Sequence, residues 1–208
     1  DANTARDANT ATDAVPVPET VAPKPAVKPQ PEPKPILYAD LPLEERFSKL
    51  IDLRVAKIIR IERHPKADKL YIETLDDGSG TERVIVSGLV PFYTEEELLG
   101  RHIVLVNNLK PARLRGVESK GMLLAASVSG ESGKEMVEVL DAAWAAPGTR
   151  VVLEGQDPSI PTDPEIDVDA FFSVPMHAEA NRAKVGNLAL TAEGKALGTV
   201  SVREGEIG

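Results

Sequence analysis

Between Ile51 and Val128 the chain breaks into five short apolar runs set apart by turn residues, with one acidic stretch after the third. IDLRVAKIIRI (51–61) places Ile51, Leu53 and Val55 on one face before Lys57 interrupts the alternation, which predicts a β-bulge near Ala56. LYIETL (70–75) and TERVIVSGL (81–89) flank Asp77-Gly78-Ser79-Gly80, a hairpin turn in which glycine supplies positive φ. TEEELLG (94–100) predicts one or two helical turns, with Thr94 as N-cap and acids at the positive end of the helix dipole. HIVLVNNL (102–109) and GMLLAASV (121–128) complete the set. Three strands, a short helix and two strands is the order of a small closed Greek-key barrel, the five-stranded OB-fold, so the expected class is mainly all-β.

The flanks read differently. Residues 1–45 form an expected disordered linker, because nine of the seventeen prolines fall between Pro16 and Pro42 and alternate with Lys and Glu. Proline fixes φ and removes the backbone donor, which favours an extended, solvated spacer. The barrel is assigned residues 46–155. A small C-terminal β appendage is assigned 156–208, from a Pro/Asp connector at 157–169 and strand-like runs within 185–202 around turns at Glu193-Gly194 and near Gly198. Trp144 is read as a lid over this second core. The chain opens on Asp1 rather than methionine, as a fragment or a processed product would.

Composition narrows the chemistry. No cysteine is present, which excludes disulfides, zinc-thiolate sites and thiol nucleophiles. No apolar run reaches the roughly 18 residues of a membrane span, so a soluble, cytoplasmic protein with no membrane partner is expected. His64 precedes Pro65 in a turn, His102 opens a strand and His177 lies among acids, each without a partner nearby in sequence. No H-x-x-x-H, no G-x-S-x-G and no phosphate-cradling glycine loop occurs. Ser87-Gly88 has no base beside it. The expectation is no enzyme, no cofactor and no metal.

The basic residues suit binding better. NLKPARLRGVESKGMLLAASV (108–128) carries Lys110, Arg113, Arg115 and Lys120 within eleven residues of a chain whose net charge is −9. Residues 54–120 hold twelve Lys/Arg against ten Asp/Glu, whereas residues 121–208 hold six against fourteen. The positive charge is therefore local, which fits one focused anion-binding patch rather than indiscriminate adhesion. In an OB-fold this stretch is the loop between the fourth and fifth strands, one wall of the oligonucleotide groove. Guanidinium forks match phosphate oxygens two points at a time. A solvated basic loop balancing nearby acids explains the same charge, and charge alone does not choose between the two.

The segments IDLRVAKIIRIERHPKADKLYIETLDDG, RVIVSGLV and NLKPARLRGVESKGMLLAAS resemble the tRNA-binding domain family of endothelial monocyte-activating polypeptide II, a yeast aminoacyl-tRNA synthetase cofactor, and the C-terminal extensions of several methionyl- and tyrosyl-tRNA synthetases. The resemblance runs from about Phe47 to about Gly155. It implies that Lys110, Arg113 and Arg115 lie along an RNA groove with Lys120, Ser119 and Met122 beside them, Ser119 offering its hydroxyl to the RNA backbone. Arg54 and Lys57 in the first strand, Arg83 and Ser87 in the third and Asn107 in the fourth extend the same face. The HPKADKL signature (64–70) is given a turn-forming role instead, with Asp68 capping backbone donors and Leu70 entering the core. Ala56 stands where the family commonly has glycine, and the appendage retains only Arg182 and Lys184 amid acids.

The resemblance further implies a non-catalytic module that gathers tRNA and delivers it to a methionyl, glutamyl or tyrosyl aminoacyl-tRNA synthetase. The barrel is expected to be monomeric, its appendage packing Phe171 and Phe172 where a dimer partner would sit. With aromatic residues at 4%, shape and backbone contact rather than base stacking should dominate. Two other classes remain open: a protein-interaction scaffold that docks through its acidic appendage and linker, and a chaperone or cytokine-like module, whose signalling element would correspond to RVAKIIR (54–60).

Overall fold

β1 (Leu53–Arg63) is the axis of the molecule, because both of its faces are buried. Leu53 and Val55 point one way and Ala56 and Ile58 the other, each fully buried, so the strand belongs to two cores at once. The structure, a computed structural model, describes residues 32–208. Lys34–Gly208 is one compact unit. α1 (Leu43–Leu50) leads into β1, which is followed by β2 (Tyr71–Asp76), β3 (Glu82–Ser87), α2 (Glu95–Leu98) and β4 (His102–Val106). Next come β5 (Ala112–Leu114), β6 (Val117–Ser119), β7 (Ala125–Ser129), β8 (Glu135–Val139) and β9 (Arg150–Leu153). The chain ends with α3 (Val168–Phe172), β10 (Met176–Glu179), β11 (Arg182–Val185), β12 (Leu188–Ala192), β13 (Lys195–Ala196) and β14 (Gly205–Ile207).

The barrel closes in OB order. β1 pairs antiparallel with β2 and with β4, and β2 pairs with β3. Residues 119–124 bridge the gap: the Lys120 N–H donates to Val84 O at 2.9 Å on one side, and Met122 O accepts from Val106 N–H at 2.8 Å on the other. The register of β1 against β2 shifts between Ile58 and Arg60. The bulge is therefore at Ile59 and not near Ala56, where the pairing of β1 with β4 runs unbroken from Leu53 to Lys57. The in-phase Lys57 is simply the last residue of that face, beyond the covered part of the sheet. The predicted fifth strand, 121–128, divides its work. Its first half completes the barrel, and its second half, β7, pairs instead with β8 and β14.

Two cores follow from this arrangement. Ala56, Ile58, Tyr71, Leu75, Ile85, Ile103 and Leu105 fill the barrel. The second core lies on the outer face of β1 and β4, where Leu53, Val55, Val104 and Val106 meet Phe47, Val151, Phe171, Met176 and Leu190. β9 pairs with both β1 and β12, so hydrogen bonds run without a break from barrel to appendage. A boundary at residue 155 thus divides a shared core. Phe171 is buried in it, whereas Phe172, expected beside it, is exposed. Trp144 packs against the same core and donates from Nε1 to Ala192 O at 3.0 Å. Thr94 caps α2 as expected, in a reciprocal capping box with Glu97.

The linker reading needs correction at its C-terminal end. Residues 1–31 lie outside the described residues, but the stretch from Lys34 onward packs. Lys34 reaches Asp167 at 3.1 Å, the Tyr38 hydroxyl donates to Asp163 at 3.1 Å, and α1 buries Phe47 and Leu50 completely or nearly so. Proline count hides this because α1 begins immediately after Pro42, a position that proline tolerates at a helix start. Arg46 ties the segment down, donating to Ser173 O at 2.9 Å, Tyr38 O at 3.2 Å and Ala39 O at 3.2 Å. Arg46→Ala is expected to cost about 1–2 kcal/mol, since hydrogen bonds from charged donors contribute about 1.5–3 kcal/mol and this one is partly solvated. Urea unfolding of the variant beside the parent checks it; identical midpoints would return the segment to the spacer.

Candidate nucleic-acid interface

The predicted basic loop is a β-hairpin. β5 and β6 pair with Leu114 opposite Val117, and the two residues between them, Arg115 and Gly116, have φ of 51° and 89°. Paired positive φ values match the right-handed twist of the flanking strands, the geometry of a type I′ turn. Gly116 adopts it freely, and Arg115 does so at the cost of a left-handed backbone. The hairpin is braced at three places. Ser119 Oγ accepts from Val86 N–H at 2.9 Å, Lys110 N–H donates to Ile166 O at 2.8 Å, and His64 Nε2 lies 3.1 Å from Leu114 O. Lys110, Arg113, Arg115 and Lys120 are exposed, and among the described residues none forms an ion pair. Within residues 110–120 the one acid is Glu118, across the hairpin from Arg113.

Beneath the hairpin runs a connected polar network that absorbs three of the predicted contact residues. Arg83 donates to Asp77 at 2.9 Å, to Asn107 Oδ1 at 2.8 Å and to the carbonyls of Asn107 and Lys120 at 3.0 and 3.1 Å. Asn107 Nδ2 donates to Asp52 at 2.9 Å, and Asp52 also receives Arg54 at 2.8 Å and faces Arg150 at 3.2 Å. Burial alone would raise the Asp77 carboxyl; hydrogen bonding from Ser79 and the Arg83 charge outweigh it and hold the group below the ordinary carboxylate range. Arg54, Arg83 and Asn107 are therefore engaged in one network, which reaches the end of the hairpin through the bond from Arg83 to Lys120 O. A cleft of about 310 Å³, lined by Asp77, Arg83, Asn107, Pro111, Lys120 and Glu165, opens over this network.

Other expectations fare differently. Ser119 is buried, and its hydroxyl accepts from Val86 and donates to Gly121 O at 3.0 Å, so it is not free for an RNA backbone. The Ser87 hydroxyl bonds Glu73, a fully buried carboxyl inside the barrel. Met122 is half-buried beside the second core and lines a groove of about 350 Å³ with Ser87, Leu89, Phe92 and Ala125. Lys57 is exposed, but it stands three positions after Arg54, so the two point to opposite faces of β1 rather than extending one surface. The structure thus brings Lys110, Arg113, Arg115 and Lys120 together.

The turn 64–70 also departs from expectation. His64 is buried, 5% exposed, and the local capping role given to Asp68 belongs to the His64 ring, whose Nδ1 accepts from Lys66 N–H at 3.0 Å. Leu70 is only half-buried. The sequence does not mark this ring as buried, because the partner that fixes it, Leu114 O, lies fifty residues away. No group of three or more His, Asp or Glu side chains is arranged to hold a metal among the described residues.

A closed barrel flanked by a cationic hairpin defines an OB-type protein with a focused basic surface, and comparison with known proteins narrows the class. Residues 53–149 match the family model described as "Putative tRNA binding domain", and this part of the chain belongs to that family. A methionine–tRNA ligase of Treponema denticola is 53% identical over 176 residues, which cover 79% of this chain and 22% of the ligase. The cytoplasmic tyrosine–tRNA ligase of Xenopus laevis is 49% identical over 115 residues, 55% of this chain and 21% of that protein. The chain thus spans about one fifth of the length of these curated relatives. Among solved structures, the C-terminal domain of Plasmodium vivax p43 superposes with a TM-score of 0.70 at 25% identity, covering 78% of this chain and 98% of that one.

Proposed function

We propose that the chain is a non-catalytic module that captures tRNA on its hairpin and delivers it to an aminoacyl-tRNA synthetase, fused or associated, of the methionyl or tyrosyl kind, in the cytoplasm. The observation that carries this reading is a set of four exposed cations, Lys110, Arg113, Arg115 and Lys120, none of which forms an ion pair among the described residues, in a chain of net charge −9. Exposed cations that no carboxylate neutralises attract phosphate, release its counterions on binding, and so raise the concentration of tRNA near a tethered active site. Family membership of residues 53–149 supplies the class of nucleic acid. The appendage, by covering the outer face of β1 and β4 with its own core, occupies a surface that would otherwise invite a second copy. The chain then acts as a monomer. No described helix is long and apolar enough to cross a membrane.

Filter binding of unfractionated tRNA to the full chain over a range of salt tests the proposal. The expected result is saturable binding whose log–log salt slope corresponds to several phosphate contacts at roughly 0.7–0.9 each. Absence of saturable binding at low salt would overturn it.

A further inference from the structure

The loop between β1 and β2 lies against the tip of the basic hairpin, and the contact is specific. His64 Nδ1 accepts the Lys66 N–H at 3.0 Å. The ring proton of the neutral tautomer must then sit on Nε2, which donates it to Leu114 O at 3.1 Å, one residue before the Arg115-Gly116 turn. The same loop is closed on itself: His64 N–H donates to Leu70 O at 2.9 Å and Leu70 N–H to Ala67 O at 3.2 Å. A short loop closed by its own backbone and pinned to the hairpin by a buried ring has little freedom to move relative to it.

That loop carries cations of its own. Arg63, Lys66 and Lys69 are exposed, and among the described residues none forms an ion pair. Elsewhere the chain commonly neutralises its cations, as in Arg60 with Glu82, Arg150 with Asp52 and Lys184 with Glu179. Across residues 62–69 and 110–120 seven Lys/Arg face three acids, Glu62, Asp68 and Glu118. In a chain with a net charge of −9, two separate loops have kept a joint excess of positive charge and been fastened together.

We propose that residues 63–69 form a second strip of the RNA-contacting surface, with Arg63, Lys66 and Lys69 on the phosphate backbone beside the hairpin cations and His64 as the positioning residue that sets the spacing of the two strips. This rests on the tRNA-binding reading above and deepens it: the ligand is a folded RNA wide enough to present phosphates to both loops at once, rather than a single extended strand lying along the hairpin.

The test is filter binding of unfractionated tRNA over a range of salt with full-length variants beside the parent. Lys66→Ala/Lys69→Ala should weaken binding and reduce the magnitude of the log–log salt slope by roughly 0.7–0.9 for each phosphate no longer held. Lys134→Ala, an exposed cation in the turn between β7 and β8, should leave both unchanged. His64→Ala removes no permanent charge, yet should lower tRNA affinity severalfold at temperatures well below its own melting transition; His64→Gln, which keeps a side-chain N–H donor, should recover part of the loss. If the lysine pair behaves as Lys134→Ala does while Arg113→Ala/Arg115→Ala loses affinity, the second strip is wrong and the tRNA reading stands. If His64→Ala folds and binds as the parent does, His64 positions nothing. A parent with no saturable tRNA binding removes both proposals together.

Discussion

Replacing Arg113 and Arg115 together by alanine is expected to weaken tRNA binding about a hundredfold and to cut the magnitude of the log–log salt slope by roughly 1.4–1.8, the contribution of two released phosphates. The affinity figure takes the lower end of the roughly 1.5–3 kcal/mol typical of hydrogen bonds to charged groups, with about 1.4 kcal/mol to each factor of ten, because phosphates on a folded RNA stay partly hydrated. The fold should be unaffected. Among the described residues Arg113 makes a single side-chain bond, to Gly116 O at 3.1 Å within the hairpin itself, and exposed substitutions away from caps and cores shift stability within about 0.5 kcal/mol. Loss of affinity should be similar for different tRNAs, since phosphate contacts carry no sequence information. Arg83→Ala offers the contrast. It would leave Asp77 buried beside no cation and free the Asn107 amide, so binding and melting temperature should fall together. A double hairpin variant with the parent's affinity and slope would leave the four cations as a solvated turn.

The barrel is legible in the sequence because its signals are local. Alternation in IDLRVAKII, the Asp77–Gly80 turn and the Thr94 cap each lie within a few residues of the structure they specify. Local reading fails where one segment serves two partners. GMLLAASV is a plausible single strand in sequence, yet residues 119–124 close the barrel and Ala125–Ser129 joins the appendage. α1 is obscured by prolines that stop at its first turn. The hairpin reads as a loop because Arg115-Gly116 lacks the Asn-Gly or Asp-Gly signature of a type I′ turn. In the interface, residue type shows which side chains carry charge but not which charges are already engaged. The partners that occupy Arg83, Ser119 and His64 lie 24, 33 and 50 residues away. The sequence motif therefore mixes exposed cations with side chains already engaged beneath them, and only tertiary pairing separates the two.

Stability of the parent should fall, relative to Glu73→Gln, as pH rises from about 4.5 toward about 8. Glu73 follows Tyr71 and precedes Leu75 on the inward face of β2, with all three buried in the barrel. Its Oε1 meets the Ser87 hydroxyl, while Oε2 has no hydrogen-bond partner among the described residues. Burial pushes the carboxyl from its ordinary 4.5 up to about 8, against the smaller opposing pull of Ser87, so the protonated form predominates near neutral pH. A folded-state value above the unfolded one means that the folded protein holds a proton the unfolded chain has released. The contribution of Glu73 is then fully present below about 4.5, shrinks across the window and is gone above about 8. The slope is about 1.4 kcal/mol for each pH unit, which adds up to several kcal/mol. Glutamine cannot ionise and lacks this slope, although its amide, set where Oε2 finds no partner, carries a pH-independent penalty of about 1–3 kcal/mol. Urea midpoints measured for both proteins from about pH 5 to about pH 9 should therefore show the parent ahead in acid and the variant gaining on it with rising pH until about 8, where the gain stops. Two parallel curves would mean that Glu73 ionises in the fold as it does in water, and that the barrel interior at Ser87 is wetter than its packing indicates.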